Sequence, residues 1–183
     1  MVKKLTLAEL KKQLRTMSQP EMVQLICQLY KEIPAVSDAM NAKFCGDEFL
    51  KVYLAQSKAE VKKQFFPSRG MGKLHLREGK ACITAFKKLC DNPEYVIDLQ
   101  LYYVECGVEF TNTYGDIYES FYSSIEGIYY NVVKELNDLN DIELYRTFSE
   151  RLRAVVDDTA GIGWGFHDGL TDSYLELHWV ESI

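Results

Sequence analysis

The sequence predicts an all-α protein, and three observations carry that prediction. Apolar residues recur at three- and four-residue spacing along most of the chain, the signature of helices with one buried face. Ser/Thr–Glu pairs three residues apart open the first segments, as helix starts require. All four prolines and the densest glycine clusters punctuate the periodic stretches.

Each element follows from these signals. Thr6 stands three residues before Glu9, a capping box in which each side chain satisfies a free amide of the first turn, and Leu7, Leu10 and Leu14 follow at helical spacing. Ser18 and Glu21 repeat the box around Pro20, which a first turn tolerates. This second helix runs to about Lys31 and is stopped by Pro34. A short helix over about 37–44 ends at Gly46, and Leu50, Tyr53, Leu54, Ser57, Val61 and Phe65 then trace one face of a longer helix ending before Pro67.

The segment FFPSRGMGK reads as a loop. Helix resumes over about 76–89, is interrupted by Asp91, Asn92 and Pro93, and continues over about 93–112. Tyr114, Gly115 and Asp116 form a turn before helices at about 117–136 and 141–156. The glycine-rich tail ends in one helix or a short strand. Seven or eight helices with short connections imply a single domain over 1–183, an up-and-down helical array.

The composition narrows the function classes. At 183 residues the chain can bury a substantial core, and its 47% apolar and 26% charged content is ordinary globular usage. No apolar run approaches the ~20 residues needed to span a bilayer, so no membrane role is expected and the cytoplasm is the expected location. Five cysteines without a CxxC pair fit reduced thiols rather than a disulfide or zinc framework. Residues 1–90 carry 17 basic and 8 acidic side chains, whereas 91–183 carry 4 and 19. That asymmetry fits halves that face each other, and the overall charge of −6 speaks against nucleic acid as the partner.

Helix 93–112 is the most informative stretch. At 100° per residue, Glu94, Asp98, Tyr102, Glu105 and Glu109 fall within about an 80° arc, flanked by apolar residues on both sides. Carboxylates in such a groove suit a divalent cation, with Asp116 and His167 as further ligands, or proton transfer by Glu105, Glu109, Asp116, His167 and Asp168. The other reading is an interhelical ladder, because Lys51, Lys58 and Lys62 share the seven- and four-residue offsets of Asp98, Glu105 and Glu109. No cofactor is predicted, a divalent metal under the first reading being the one alternative. Arg69, Gly70, Gly72 and Lys73 form a candidate anion site at a helix entrance, although the P-loop pattern is absent. In GIGWGFHDG, Phe166 occupies the last glycine position of a dinucleotide fingerprint, so that site is not expected. Ten of the twelve tyrosines lie after residue 91, which suits a recognition surface as well as a core.

FFPSRGMGK, LYYVECGVEFTNTYGDIYESFY, GIGWGFHDGL and the KLTLAELKKQL start resemble an uncharacterised bacterial family of helical proteins with no assigned function. The resemblance spans nearly the full length, transfers no catalytic residues, and implies a bacterial cytoplasmic origin. The expected function is therefore a non-enzymatic helical module that engages another protein through its acidic, tyrosine-rich half or its basic loop. The rival is a metal- or small-ligand-binding enzyme with an acidic pocket.

Overall fold

The structure, a computed structural model, describes residues 4–68 and 74–180. Among them are nine α-helices and no strand: α1 (Leu7–Leu14), α2 (Gln19–Glu32), α3 (Pro34–Cys45), α4 (Asp47–Phe65), α5 (Leu76–Lys87), α6 (Pro93–Tyr114), α7 (Glu119–Leu139), α8 (Ile142–Asp157) and α9 (Phe166–Leu175). The count exceeds the seven or eight expected. One reason is that the tail holds a full helix, α9, and no strand. Pro34 also does double duty: it ends α2 and, as first residue of α3, starts the next helix where its missing N–H costs nothing. No described helix is long and apolar enough to cross a membrane.

Contacts divide the chain into two compact units, residues 1–49 and 50–183. In the first, both sequence-predicted capping pairs are in place: Thr6 and Glu9 bond reciprocally on α1, and on α2 the Ser18 amide and hydroxyl both donate to Glu21 Oε2 at 2.7 Å. α2 packs against α3, and the Tyr30 hydroxyl reaches Asn41 Oδ1 at 3.1 Å. Yet none of the three helices buries a single residue.

The second unit has a continuous core with α6 at its centre. α6 packs on α5, α7 and α8, while α9 closes against α7 and α8. Twelve residues of α6 are buried, from Val96 to Thr111, which is why its apolar residues occupy two flanks and not one. Aromatic contacts run through this core from Phe65–Tyr103 (5.1 Å between centroids) through Phe110–Phe121 (5.9 Å) to Tyr122–Phe166 (4.7 Å). The turn after α6 is pinned by Tyr122, whose hydroxyl accepts from Ile117 N at 3.1 Å and pairs with Thr111 Oγ1 at 3.0 Å. Gly115 takes a positive φ of 84° there, a backbone conformation that favours glycine.

Gly107 sets how closely α6 and α7 approach. A Cβ at that position would lie 2.5 Å from Ile125 Cδ1 and 2.8 Å from its Cγ1, and Ile125 is fully buried and stiff at χ1. Gly127, on exposed α7 surface, faces nothing within 4 Å. We expect Gly107→Ala to cost about 1–3 kcal/mol in urea unfolding through overpacking, and Gly127→Ala to add about 0.5–1 kcal/mol through helix propensity. Equal effects at the two glycines would show that α6 and α7 do not meet as described.

Candidate functional site

The acidic stripe of α6 is built as its spacing predicts, but it is occupied by the protein's own cations. α4 brings Lys58 Nζ within 2.7 Å of Asp98 Oδ2, and Lys62 Nζ onto Glu109 Oε2. Both pairs advance in the same sense along the two helices, so α4 and α6 run parallel over this stretch. Of the three rungs expected, Lys62–Glu109 forms in register, whereas Lys58 meets Asp98 and Glu105 is left for another helix.

That helix is α8. Arg151 donates from Nε to Glu105 Oε1 at 2.7 Å and from Nη2 to Glu105 Oε2 at 2.9 Å, a bidentate pair, while Nη1 reaches Asp98 Oδ1 at 2.7 Å. Asp98 and Glu105 are about 10.5 Å apart along the helix axis, so both carboxylates lean toward one guanidinium. Burial would lower the Arg151 pKa, but the hydrogen bonds and charges of Glu105 and then Asp98 outweigh it and hold the group above its ordinary value. The side chains of Asp98, Glu105 and Arg151 keep 20%, 31% and 33% of their surface, a half-buried setting in which such pairs are worth more than on open surface.

Sequence reasoning missed Arg151, although a signal was present. It lies three residues after Phe148 and four before Val155, both buried, so α8 carries a cation at the border of its core face. A second polar clamp grips the far flank of α6: buried Gln100 donates to Glu135 Oε2 of α7 at 2.8 Å, and Lys87 of α5 bonds the other oxygen of the same carboxylate.

Between α6 and α8 runs a cleft of about 520 Å³ with Val108, Ala154 and Val155 in its wall and Glu105, Glu109, Asn112, Arg151 and Asp158 along it. Asn112 spends its amide on the Asp158 carbonyl at 2.9 Å, and Thr113 donates to the Glu109 carbonyl at 2.7 Å. Cys106, buried just beneath the stripe, has its thiol pushed up to about 12, chiefly by burial, so it is no thiolate nucleophile at neutral pH. Burial likewise raises the neighbouring Tyr102 hydroxyl to about 12.

The remaining sequence candidates are not drawn into the stripe as a ligand set. Asp116 is exposed in the connection between α6 and α7, and Asp168 is exposed on the first turn of α9. His167 is half-buried on that turn, with Nδ1 3.1 Å from Thr159 Oγ1; the threonine hydroxyl donates to the Val156 carbonyl at 2.7 Å, which leaves its oxygen to accept from Nδ1–H. Adjacent His167 and Asp168 thus serve different surroundings. Among the described residues, no three His, Cys, Asp or Glu side chains gather in a way that could hold a metal ion, so Glu105, Glu109, Asp116 and His167 do not converge as one centre. Arg69, Gly70, Gly72 and Lys73 lie outside the described residues. Of the tyrosines after residue 91, Tyr103, Tyr122 and Tyr129 are buried core, and Tyr114, Tyr118 and Tyr130 are exposed.

Residues 5–174 match the model of a family described as "Family of unknown function (DUF6155)". No curated protein and no solved structure matches the chain.

A carboxylate held on both oxygens by arginine, as Glu105 is, is a poor base and a poor metal ligand, and its pair with Arg151 ties α8 to α6. Arg151→Met should cost about 1–2 kcal/mol in urea unfolding, because it strands two half-buried carboxylates. Lys62→Met, facing the more exposed Glu109, should cost at most about 0.5 kcal/mol. An Arg151 variant as stable as the parent would dismiss the brace.

Proposed function

We propose, for a chain that belongs to the family of unknown function DUF6155, that it works as a helical protein-interaction module whose recognition face lies on its N-terminal helices. One observation carries this: α1, α2 and α3 bury no residue, while Leu5, Leu7, Leu10, Val23, Ile26, Tyr30, Ile33 and Phe44 are all at least 40% exposed. A unit of about 50 residues has too little interior to offset its chain entropy unless something covers its apolar side, and contiguous exposed apolar surface is the usual mark of a binding face.

The acidic, tyrosine-rich half has less support as that face, since Tyr103, Tyr122 and Tyr129 are core and its central carboxylates are paired. An enzymatic role at the α6–α8 cleft has less support, since its carboxylates Glu105 and Glu109 are engaged by Arg151 and Lys62.

The test is a tagged-chain capture at low and moderate salt, run beside the double variant Ile26→Glu, Tyr30→Glu. We expect the parent to enrich protein that the double variant loses. Capture of nothing above background, or of an identical set by both, would remove this face from the account.

A further inference from the structure

We infer that the occupant of this face is a second copy of the chain, with α1 of each copy lying along α2 of the other. The inference rests on the interaction-module reading and goes beyond it by naming the partner.

Two seams of one cadence stand 16 residues apart. Leu7, Leu10, Leu14 and Met17 follow a three-four-three spacing, and so do Val23, Ile26, Tyr30 and Ile33. That spacing presents a straight apolar ridge, the form that packs helix against helix. The α2 seam is free of charge: at 100° per residue its nearest charged side chain, Lys31, sits about 120° around the helix from its centre. It therefore suits an uncharged ridge of similar length and disfavours an acidic peptide, a phosphate or nucleic acid. Antiparallel, Leu14 would face Val23, Leu10 would face Ile26 and Leu7 would face Tyr30, so each seam is the complement of the other.

Within one copy the seams do not cover each other. Leu14 is half-buried near the hinge, but Leu10 is 41% and Leu7 67% exposed, and Val23, Ile26, Tyr30 and Ile33 are 40–54% exposed. Lys11, Leu14, Arg15 and Met22 border an open hollow of about 410 Å³ between the two helices. The hinge is braced in this open form. Thr16 N bonds Gln13 O at 3.0 Å, Met17 N bonds Leu14 O at 3.2 Å, and Ser18 N bonds Glu21 Oε2 at 2.7 Å.

A two-fold axis that exchanges the α1 helices satisfies both seams of both copies at once and closes the assembly as a four-helix cluster.

The experiment is sedimentation of the full chain across concentrations, with Cys27→Ser, Leu10→Cys, Ile26→Cys oxidised in parallel. We expect a species of twice 21.1 kDa, its loss in Ile26→Glu, Tyr30→Glu at unchanged helical circular dichroism, and a disulfide joining two copies. A monomer at every concentration overturns the inference, and so does a disulfide closing within one chain, which would make the chain's own α1 the occupant. If the chain is monomeric but the Glu variant still loses captured protein, the self-pairing fails while the interaction module stands; if neither association is seen, both fail.

Discussion

A helix with apolar residues on two flanks is stable only where other helices cover both, and any polar residues left on it must find partners at the seams. α6 meets this demand and organises residues 50–183 around itself. α5, α7 and α8 cover its flanks, and its polar positions become the places where neighbours are locked in register. Arg151 and Lys58 share the two oxygens of Asp98 on one side, while Gln100 and Lys87 share those of Glu135 on the other. Charges so placed add less stability than the apolar burial around them, but they penalise any shift of α4 or α8 along α6.

The same logic separates the two units. Residues 50–183 enclose a continuous apolar core, with Phe65, Phe121, Tyr129 and Leu136 fully buried, although Val52, Trp164 and Leu175 stay exposed. In the first unit α1 and α2 are side-chain capped and amphipathic, but α1, α2 and α3 bury no residue. Capping and helix propensity contribute a few kcal/mol at most, so short helices such as α1 depend on packing for their persistence. Local order without a core is what a binding element requires: a shape already formed, with its stabilising surface still to be supplied.

Much of the fold was legible in the sequence because helical periodicity is a local property. The capping boxes at Thr6 and Ser18, the turn at Gly115 and the stripe from Asp98 to Glu109 all follow from residues within a few positions of each other. The lysine ladder was legible only in part: Lys62 meets Glu109 as the shared offsets predict, but Lys58 meets Asp98, seven residues before the expected Glu105. Arg151 was not, because its role depends on how α8 crosses α6, and nothing in its own neighbourhood measures that distance. Among the described residues, Asp116, His167 and Asp168 join Glu105 in no metal-holding cluster; short sequence separation, as in His167–Asp168, does not make two side chains face one point. Periodicity in α1 and α2 likewise marks an apolar face without telling what covers it.

Native-state hydrogen exchange on the full chain, repeated at several protein concentrations, tests this division most directly. The account predicts that α6 amides around Val104 and Gly107 exchange only through global unfolding at every concentration, while those of α1 and α2 are nearly unprotected in dilute solution and gain protection as the chain is concentrated. Protection of α1 and α2 equal to that of α6 in dilute monomer would contradict it, since residues 1–49 would then possess the interior they are described as lacking.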